Sequence, residues 1–568
     1  MLGLIERQAG RNEQAIERFN RAIAANSGVA AYHVNLGNAL KSLGRWEDAV
    51  ACYRQALAIS PDLAEAHSNL GNVFQDLGRP EDAVVSYQNA LAAKPDYAEA
   101  FGNLGNALMS LERPEEAAES FRNALTLQPE FIEAYSGLGN ALQELGQLDT
   151  AVATYAKALA LKPDYAEAHC NLGLAFQGLG QFDKALASYA MALACNPDFS
   201  EAHTNLGGAL KELGRFDEAE ASYRRAVEAQ PDNADAHFQL ALCLLLVGKM
   251  AEGWEEYEWR WRATHGVVRR DFPQAPWQGE AVAGKTVLVW CEQGVGDEVL
   301  YAGRVPALLE AGARVILECD PRLTHVFARS FPGVTAIGRS TPPDPRLLDE
   351  AIEYQCPAGS LDRWLKPGVG PGVGPGVGPG VGNEAKPAAY LMADESGREA
   401  LRKRYQGDGG ERLVGITWNS KNKRIGESKS LNLLELAPLA GIAGIKLVDL
   451  QYGDTQDQRD AFADRTGVEI LHDDSIDQMK DIDAFVDQVA AMDLVVTVSN
   501  TTAHIAGALG LPTWVMVHPT PLPCWLLERE DSPWFPDVRL FRKIPQDGWE
   551  NVVGRVAKDL AGLYSPQP

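Results

Sequence analysis

The residues best suited to chemistry in this 568-residue chain fall in three short stretches. In the first, Thr286 to Gly303, Asp297 closes the run Gly294-Val295-Gly296-Asp297 directly after the apolar segment Val287 to Trp290. Strand, glycine turn and helix in that order bring backbone amides and one chosen side chain to the mouth of an α/β cleft. Two glycines this close also serve as an ordinary tight turn, so the pattern alone assigns no role. The second stretch, Asn419 to Ser430, carries Lys421, Lys423, Arg424 and Lys429 behind the strand-like Leu413 to Trp418. Because the chain has a formal charge of −25, a local cluster of cations is expected to bind an anion, the alternative being a solvated loop. The third stretch, Ser499-Asn-Thr-Thr-Ala-His504, follows Leu494 to Val498 and places Ser499, Thr501, Thr502 and His504 at the expected start of a helix.

To share one rim, these stretches need parallel strands. Residues 266–366 read as a small α/β half, with further strands at Arg314 to Cys319 and Val334 to Ile337 and helices at Glu298 to Ala311, kinked at Pro306, and Pro321 to Ser330. Pro367 to Gly382 is four tandem Pro-Gly-Val-Gly units, too poor in burial to fold, so 367–386 is expected to be a linker. Residues 387–568 read as a second α/β half, in which strands ending near Trp418, Leu450, Val498 and Val517 each feed a polar loop. Such strand ends form the rim of a ligand site in a parallel sheet.

Residues 1–265 repeat. Leu-Gly recurs every 34 residues at Leu2, Leu36, Leu70, Leu104, Leu138, Leu172 and Leu206. In register run alanines (Ala15, Ala49, Ala83 and onward), aromatics (Phe19, Tyr53, Tyr87, Phe121, Tyr155, Tyr189, Tyr223, Tyr257) and prolines from Pro61 to Pro231. The period predicts a pair of antiparallel helices per unit, with small residues at the crossing and proline ending the second helix. These columns resemble the tetratricopeptide repeat, which implies a superhelix of about eight units with a concave groove. The first unit begins at Leu2 without most of its first helix, so either the true start lies upstream or this end frays.

Asn35, Asn69, Asn103, Asn171 and Asn205 precede the Leu-Gly, and Asn38, Asn72, Asn106 and Asn140 lie three residues further on. That spacing puts both on one helical face, where a ladder of amides could hold a protein or extended peptide by its backbone. It is similar to the asparagine ladder of O-linked N-acetylglucosamine transferases, although Gly137 and Gln239 interrupt it and repeat consensus is the alternative. His33, His67, His169, His203 and His237 share one repeat position and are expected to pack rather than bind metal. Trp254, Tyr257 and Trp261 fall on one helical face and are expected to dock the array onto the α/β region rather than hold a sugar or cofactor.

Composition narrows the classes further. With 46% hydrophobic and 23% charged residues the chain reads as globular, and its negative charge argues against nucleic acid or an anionic membrane as main partner. The start lacks a signal-peptide pattern and the longest apolar run, Leu240 to Val247, is too short to span a bilayer, so a cytoplasmic protein without a membrane span is expected. Eight cysteines without CxxC pairs suggest neither a disulfide framework nor zinc, and no metal is expected.

Residues 285–565 resemble the heptosyltransferase-like glycosyltransferases, a two-Rossmann-domain (GT-B) family. The matching pieces are the strand-GxGD-helix at Val287 to Asp297, the basic loop after Trp418, Ser499 to Ala506, and the Pro-Thr loop after Val517. The resemblance implies an all-α array followed by a GT-B-like α/β region that uses a nucleotide-sugar as donor, with no separate cofactor. It implies that Asp297 is the base that deprotonates an acceptor hydroxyl in an inverting transfer. Gly294, Gly296, Lys421, Lys423, Arg424, Lys429, Ser499, Thr501, Thr502 and His504 would surround the donor's phosphates or nucleotide. Where the family has aspartate in Asp-Thr-x-x-x-His, this chain has Ser499, which leaves the donor and the activity open. The rival readings are an interaction scaffold with an inactive or sensing α/β domain, and another GT-B chemistry such as sugar-nucleotide epimerisation.

Overall fold

The computed structural model describes residues 2–8, 10–264, 266–365, 388–407, 409–420, 429–544 and 547–564. The Pro-Gly-Val-Gly linker and Lys421, Lys423 and Arg424 lie outside them. Contacts divide the chain into two compact units, Met1–Ala209 and Leu210–Pro568.

The first unit is all helical, and each repeat is a hairpin such as Ala64–Asp76 followed by Pro80–Ala93. The column residues explain the hairpin. Ala49, Ala83, Ala117, Ala151 and Ala185 are wholly buried at the helix crossings. The Leu-Gly glycines from Gly3 to Gly173 face an aromatic ring: a Cβ on Gly71 would lie 2.6 Å from Tyr87 Cε1, and one on Gly139 2.3 Å from Tyr155 Cε1. No side chain fits there without displacing the ring. The proline column falls just past the second helices, as at Pro61 after Trp46–Ile59. Each histidine of the shared column bonds to the carbonyl six residues before it: His67 to Pro61, His169 to Pro163 and His203 to Pro197, at 2.8, 2.9 and 3.0 Å. The column therefore ties each first helix to the turn that precedes it.

One turn breaks the repeat's own rule. Gly44, Gly78, Gly146 and Gly180 all have φ between 68° and 71°, whereas the equivalent Glu112 has φ 55°. Left-handed backbone costs a side-chain-bearing residue roughly 1–2 kcal/mol, partly offset by the extra entropy glycine loses on folding. Glu112→Gly is therefore expected to stabilise the chain by about 0.5–1 kcal/mol, read as a higher denaturation midpoint.

The second unit begins with the last repeats, whose helices include Phe216–Ala229, Ala234–Leu246 and Met250–Tyr257, followed by a 3-10 turn at Glu258–Trp261. Leu245, Met250, Trp254 and Tyr257 are buried in one core with Val287, Val289 and Tyr301 of the α/β region. Trp261 packs on Trp290 with ring centroids 5.6 Å apart. The tryptophan face thus docks the end of the array.

Two five-stranded sheets follow. The strands are β1 (Ala275–Pro276), β2 (Thr286–Trp290), β3 (Arg314–Cys319), β4 (Thr335–Gly338) and β5 (Tyr354–Pro357), then β6 (Arg412–Ile416), β7 (Ile445–Asp449), β8 (Leu494–Val498), β9 (Thr513–Val517) and β10 (Val538–Arg542). The orders are β1-β5-β2-β3-β4 and β10-β9-β8-β6-β7, and every pairing is parallel. The region is α/β, with the central strands β2 and β8 almost wholly buried, as expected of a parallel sheet covered on both faces. The single kinked helix expected over Glu298 to Ala311 is instead two, Val295–Ala302 and Val305–Glu310. Pro306 sits in the first turn of the second, where its missing N–H costs nothing.

Candidate functional site

The turn after β2 sets the first functional side chain. Gly294 is the N-cap of Val295–Ala302, with extended φ −77° and ψ 166°, and Asp297 at the third helical position accepts a hydrogen bond from the Gly294 backbone. Of the two adjacent acids, Glu298 is turned away: it accepts from the Asp320 N–H at 2.7 Å and pairs with Arg339. Asp297 is left facing a cavity. Loss of solvent, reinforced by the charge of Glu292 and opposed by Lys429, lifts its carboxyl to about 6. Gly296 plays a different part. A Cβ there would come within 3.3 Å of Thr501 Oγ1 and 3.5 Å of Thr501 Cα, so the glycine permits the helix after β2 to lie against the helix after β8.

The residues flanking the basic stretch, Trp418 to Ser420 and Ser430, are tied together. Gln451, just past β7, accepts from the Trp418 and Asn419 N–H groups at 3.0 and 2.8 Å. Ser430 accepts from Ser420 N–H at 2.9 Å and donates to Asn419 Oδ1 at 3.1 Å. Lys429, beside Ser430, is buried and lines the same cavity as Asp297. Burial lowers its ammonium to about 8, against the opposing pull of Cys524, Asp297 and Glu212.

The third stretch sits behind these two. Ser499 Oγ accepts from Trp525 Nε1 at 2.8 Å, and Asn500 caps Thr501–Ala508 by accepting from Ala503 N–H at 3.3 Å. Asn500 Nδ2 donates to Thr417 Oγ1 at 2.9 Å, joining the ends of β6 and β8. His504 is buried between Trp525 and Phe535 and hydrogen-bonds to the Gly296 backbone. Burial and the charge of Lys429 hold its imidazole at about 4, hence neutral at pH 7. Thr502 Oγ1 and His504 Nδ1 are buried without a hydrogen-bond partner among the described residues. None of Ser499, Thr501, Thr502 and His504 lines the cavity, which brings together Gly294, Asp297 and Lys429 from the predicted set.

The cavity holds about 840 Å³ and, besides Lys429, is lined from several parts of the chain. The last repeat gives Phe238, Leu242 and Trp254; the turn and helix after β2 give Gln293, Asp297 and Leu300; the segments after β9 give Leu522 and Trp534. Sequence reasoning missed Gln293, whose Nε2 donates to Tyr257 Oη at 2.6 Å, and Arg260, whose Nη2 donates to Glu292 Oε1 at 3.0 Å. Both bonds tie the array's last turn to the residues that precede Gly294. The one available signal was the position of Glu292-Gln293 inside the strand-to-glycine turn. Among the described residues no group of three or more His, Cys, Asp or Glu side chains is placed to hold a metal ion, and no helix is long and apolar enough to cross a membrane.

In the array, the asparagines are already partly engaged. Tyr53, Tyr87 and Tyr155 donate to Asn38, Asn72 and Asn140 Oδ1, each at 2.6 Å. Asn103 and Asn171 Nδ2 donate to Asn72 and Asn140 Oδ1 at 3.2 and 3.0 Å, Asn205 Nδ2 donates to Cys170 Sγ at 3.4 Å, and Asn35 Nδ2 bonds to Ala31 O at 2.7 Å. Where Phe121 replaces tyrosine, Asn106 is exposed and the ladder position is Gly137. A Cβ there would lie 2.4 Å from Phe121 Cζ, so the ring occupies the space an asparagine would need.

Profiles of the TPR repeat match residues 37–78 and 139–180, and those of the tetratricopeptide repeat match 68–130, 170–231 and 204–258. The array is built of tetratricopeptide repeats. Protein FlbA of Caulobacter vibrioides is 30% identical over 320 residues, 55% of this chain and 52% of that protein. The chain thus spans about half the length of the curated relative it matches. Among solved structures, YrrB, described as a tetratricopeptide protein with an unusual peptide-binding site, is 30% identical, with 33% of this chain and 96% of that one covered at a TM-score of 0.30. TTC0263, a thermophilic repeat protein of Thermus thermophilus, is also 30% identical, over 32% and 100% of the two chains, with a TM-score of 0.30. Tetratricopeptide arrays are protein-interaction modules, and the repeats support that role here.

Proposed function

We propose that the chain is a glycosyltransferase that moves a sugar from a nucleotide-sugar to a protein or other extended acceptor recruited by its tetratricopeptide array. The observation that carries this reading is the placement of Asp297 and Lys429 in one cavity at the strand ends of two parallel sheets. An inverting displacement at an anomeric carbon needs a base on the attacking hydroxyl and a cation at the departing diphosphate. Asp297 has the raised carboxyl of a base suited to neutral pH, and Lys429 is the nearby buried cation. Lys421, Lys423 and Arg424 would add to the phosphate site from the same loop.

Thermal shift and donor hydrolysis across ADP-, GDP- and UDP-sugars test the reading, with wild type beside Asp297→Asn. Stabilisation by one nucleotide class together with turnover that depends on Asp297 is the expected result. No shift with any donor sinks it. The rival scaffold or sensor reading draws on Ser499, which stands where the resembling family has a carboxylate and whose hydroxyl is engaged by Trp525. Donor binding without turnover, indifferent to Asp297, would favour it.

The asparagine ladder has its own test. The oxygens of Asn72 and Asn140 already accept two bonds each, so a bound backbone would be read by the remaining donors and by Asn69, Asn103, Asn171 and Asn205. Changing these last four to alanine is expected to lower partner recovery in pull-downs by at least about tenfold, at roughly 0.5–1.5 kcal/mol per lost bond. Unchanged recovery would mean the amides serve packing alone.

A further inference from the structure

The cavity that holds Asp297 is walled by apolar side chains from three directions. Phe238 and Leu242 on the last repeat, Leu300 behind Asp297, and Leu522 and Trp534 after β9 are all half-buried and line it. Its charged groups are matched in sign within the wall. Arg260 is taken up by Glu258 and Glu292, Lys211 lies beside Glu212 and donates to Gln239 Oε1 at 3.3 Å, and Asp297 faces Lys429. With Lys429 assigned to the donor's diphosphate, the wall keeps no further unmatched charge for the flanks of an acceptor, whereas apolar flanks would cover the side chains that the fold leaves half-open.

We propose that the acceptor is a serine or threonine flanked by apolar side chains on an extended polypeptide, and that the last repeat's Phe238 and Leu242 select it. The inference rests on the transferase reading and names its substrate class. In the reaction the hydroxyl oxygen bonds to the anomeric carbon and the bond from that carbon to the diphosphate oxygen breaks. The electron pair leaves with the nucleoside diphosphate, and the hydroxyl proton passes to Asp297. The last repeat and the reacting groups share this wall, so an acceptor segment would meet its selectivity filter in the final helix pair beside Asp297.

The test uses the full chain and fluorescein-labelled peptides with one Ser-Thr core flanked by Ala, Val and Leu, by Glu, or by Lys. Binding is read by fluorescence polarisation for wild type, Leu242→Lys and Leu522→Lys, the second lying on a loop where the charge is compatible with folding. The apolar-flanked peptide is expected to bind at least tenfold more tightly than either charged set, and both variants are expected to lose that preference. Binding that ignores the flanks, or a preference retained in both variants, overturns the proposal. Donor thermal shift is measured alongside. A donor response with flank-independent binding removes the acceptor inference and leaves the transferase reading standing. A flank preference lost in both variants without any donor response removes the transferase reading and the acceptor role with it.

Discussion

The Asp297→Asn variant is expected to transfer sugar ~10²–10⁴-fold more slowly than wild type, the usual contribution of a positioned general base. The asparagine oxygen can still accept the Gly294 N–H, so the helix start is preserved and the loss falls on proton removal. The wild-type profile should be bell-shaped. Transfer rises as Asp297 loses its proton near pH 6 and falls as Lys429 loses its charge near pH 8, the two limbs being apparent values of a coupled site. The rate profile with a saturating donor checks this. A flat profile between pH 5 and 7 would remove Asp297 from the role.

The same substitution carries a stability signature of opposite sign. A carboxyl raised from 3.8 to about 6 by folding is held charged at a cost above pH 6. Below 3.8 it is protonated in both folded and unfolded chains and costs nothing. Asp297→Asn should therefore raise the melting temperature at pH 7 to 8, and the gain should fade as pH falls from 6 toward 4. A variant that is slower and more stable is the pattern expected when a group is kept for chemistry rather than for the fold.

The repeat was legible because its period is written in residue types: glycine because a ring lies within 2.3–2.8 Å of its missing Cβ, alanine because the crossing has no room, histidine because its ring reaches the carbonyl six residues back. The parallel sheets were legible from apolar strands followed by polar loops. The cavity was only half legible. Asp297 and Lys429 announce themselves by type, but Phe238, Leu242, Leu522 and Trp534 look like any other core residues in sequence, and only their convergence makes them a wall. Ser499 and His504 are placed apart from this cavity. Their loop matches a ligand-binding pattern, yet Trp525 engages the serine and the close approach of Gly296 to Thr501 puts that helix start behind the cavity. Gly296 also allows the close approach of two helices, since a Cβ there would lie 3.3 Å from Thr501 Oγ1. Burial and long-range pairing of this kind have no local signature.

The second large effect concerns the ion pair that joins the array's last turn to the segment leading into Asp297. Arg260 is 1% exposed and donates to Glu258 Oε1 at 2.8 Å, Glu292 Oε1 at 3.0 Å and Ser360 Oγ at 2.7 Å. Its guanidinium lies over the Trp261 ring at 4.0 Å. Removing one member of such a buried pair leaves the other charge uncompensated, at about 3–5 kcal/mol. Arg260→Ala is therefore expected to lower the melting temperature of the chain by several degrees and to free the Glu292-Gln293 segment that leads into Gly294. Glu292→Gln separates the two consequences. Arg260 keeps Glu258 as a partner, so stability should fall less, while loss of the Glu292 charge should move the acid limb of the rate profile to lower pH, because that charge raises the Asp297 carboxyl. In the double variant Arg260→Ala/Glu292→Gln the stability costs should be markedly less than additive, as expected for residues in direct contact. Additive costs with an unmoved acid limb would mean that Arg260 only packs, and that the array's last turn has no hold on Asp297.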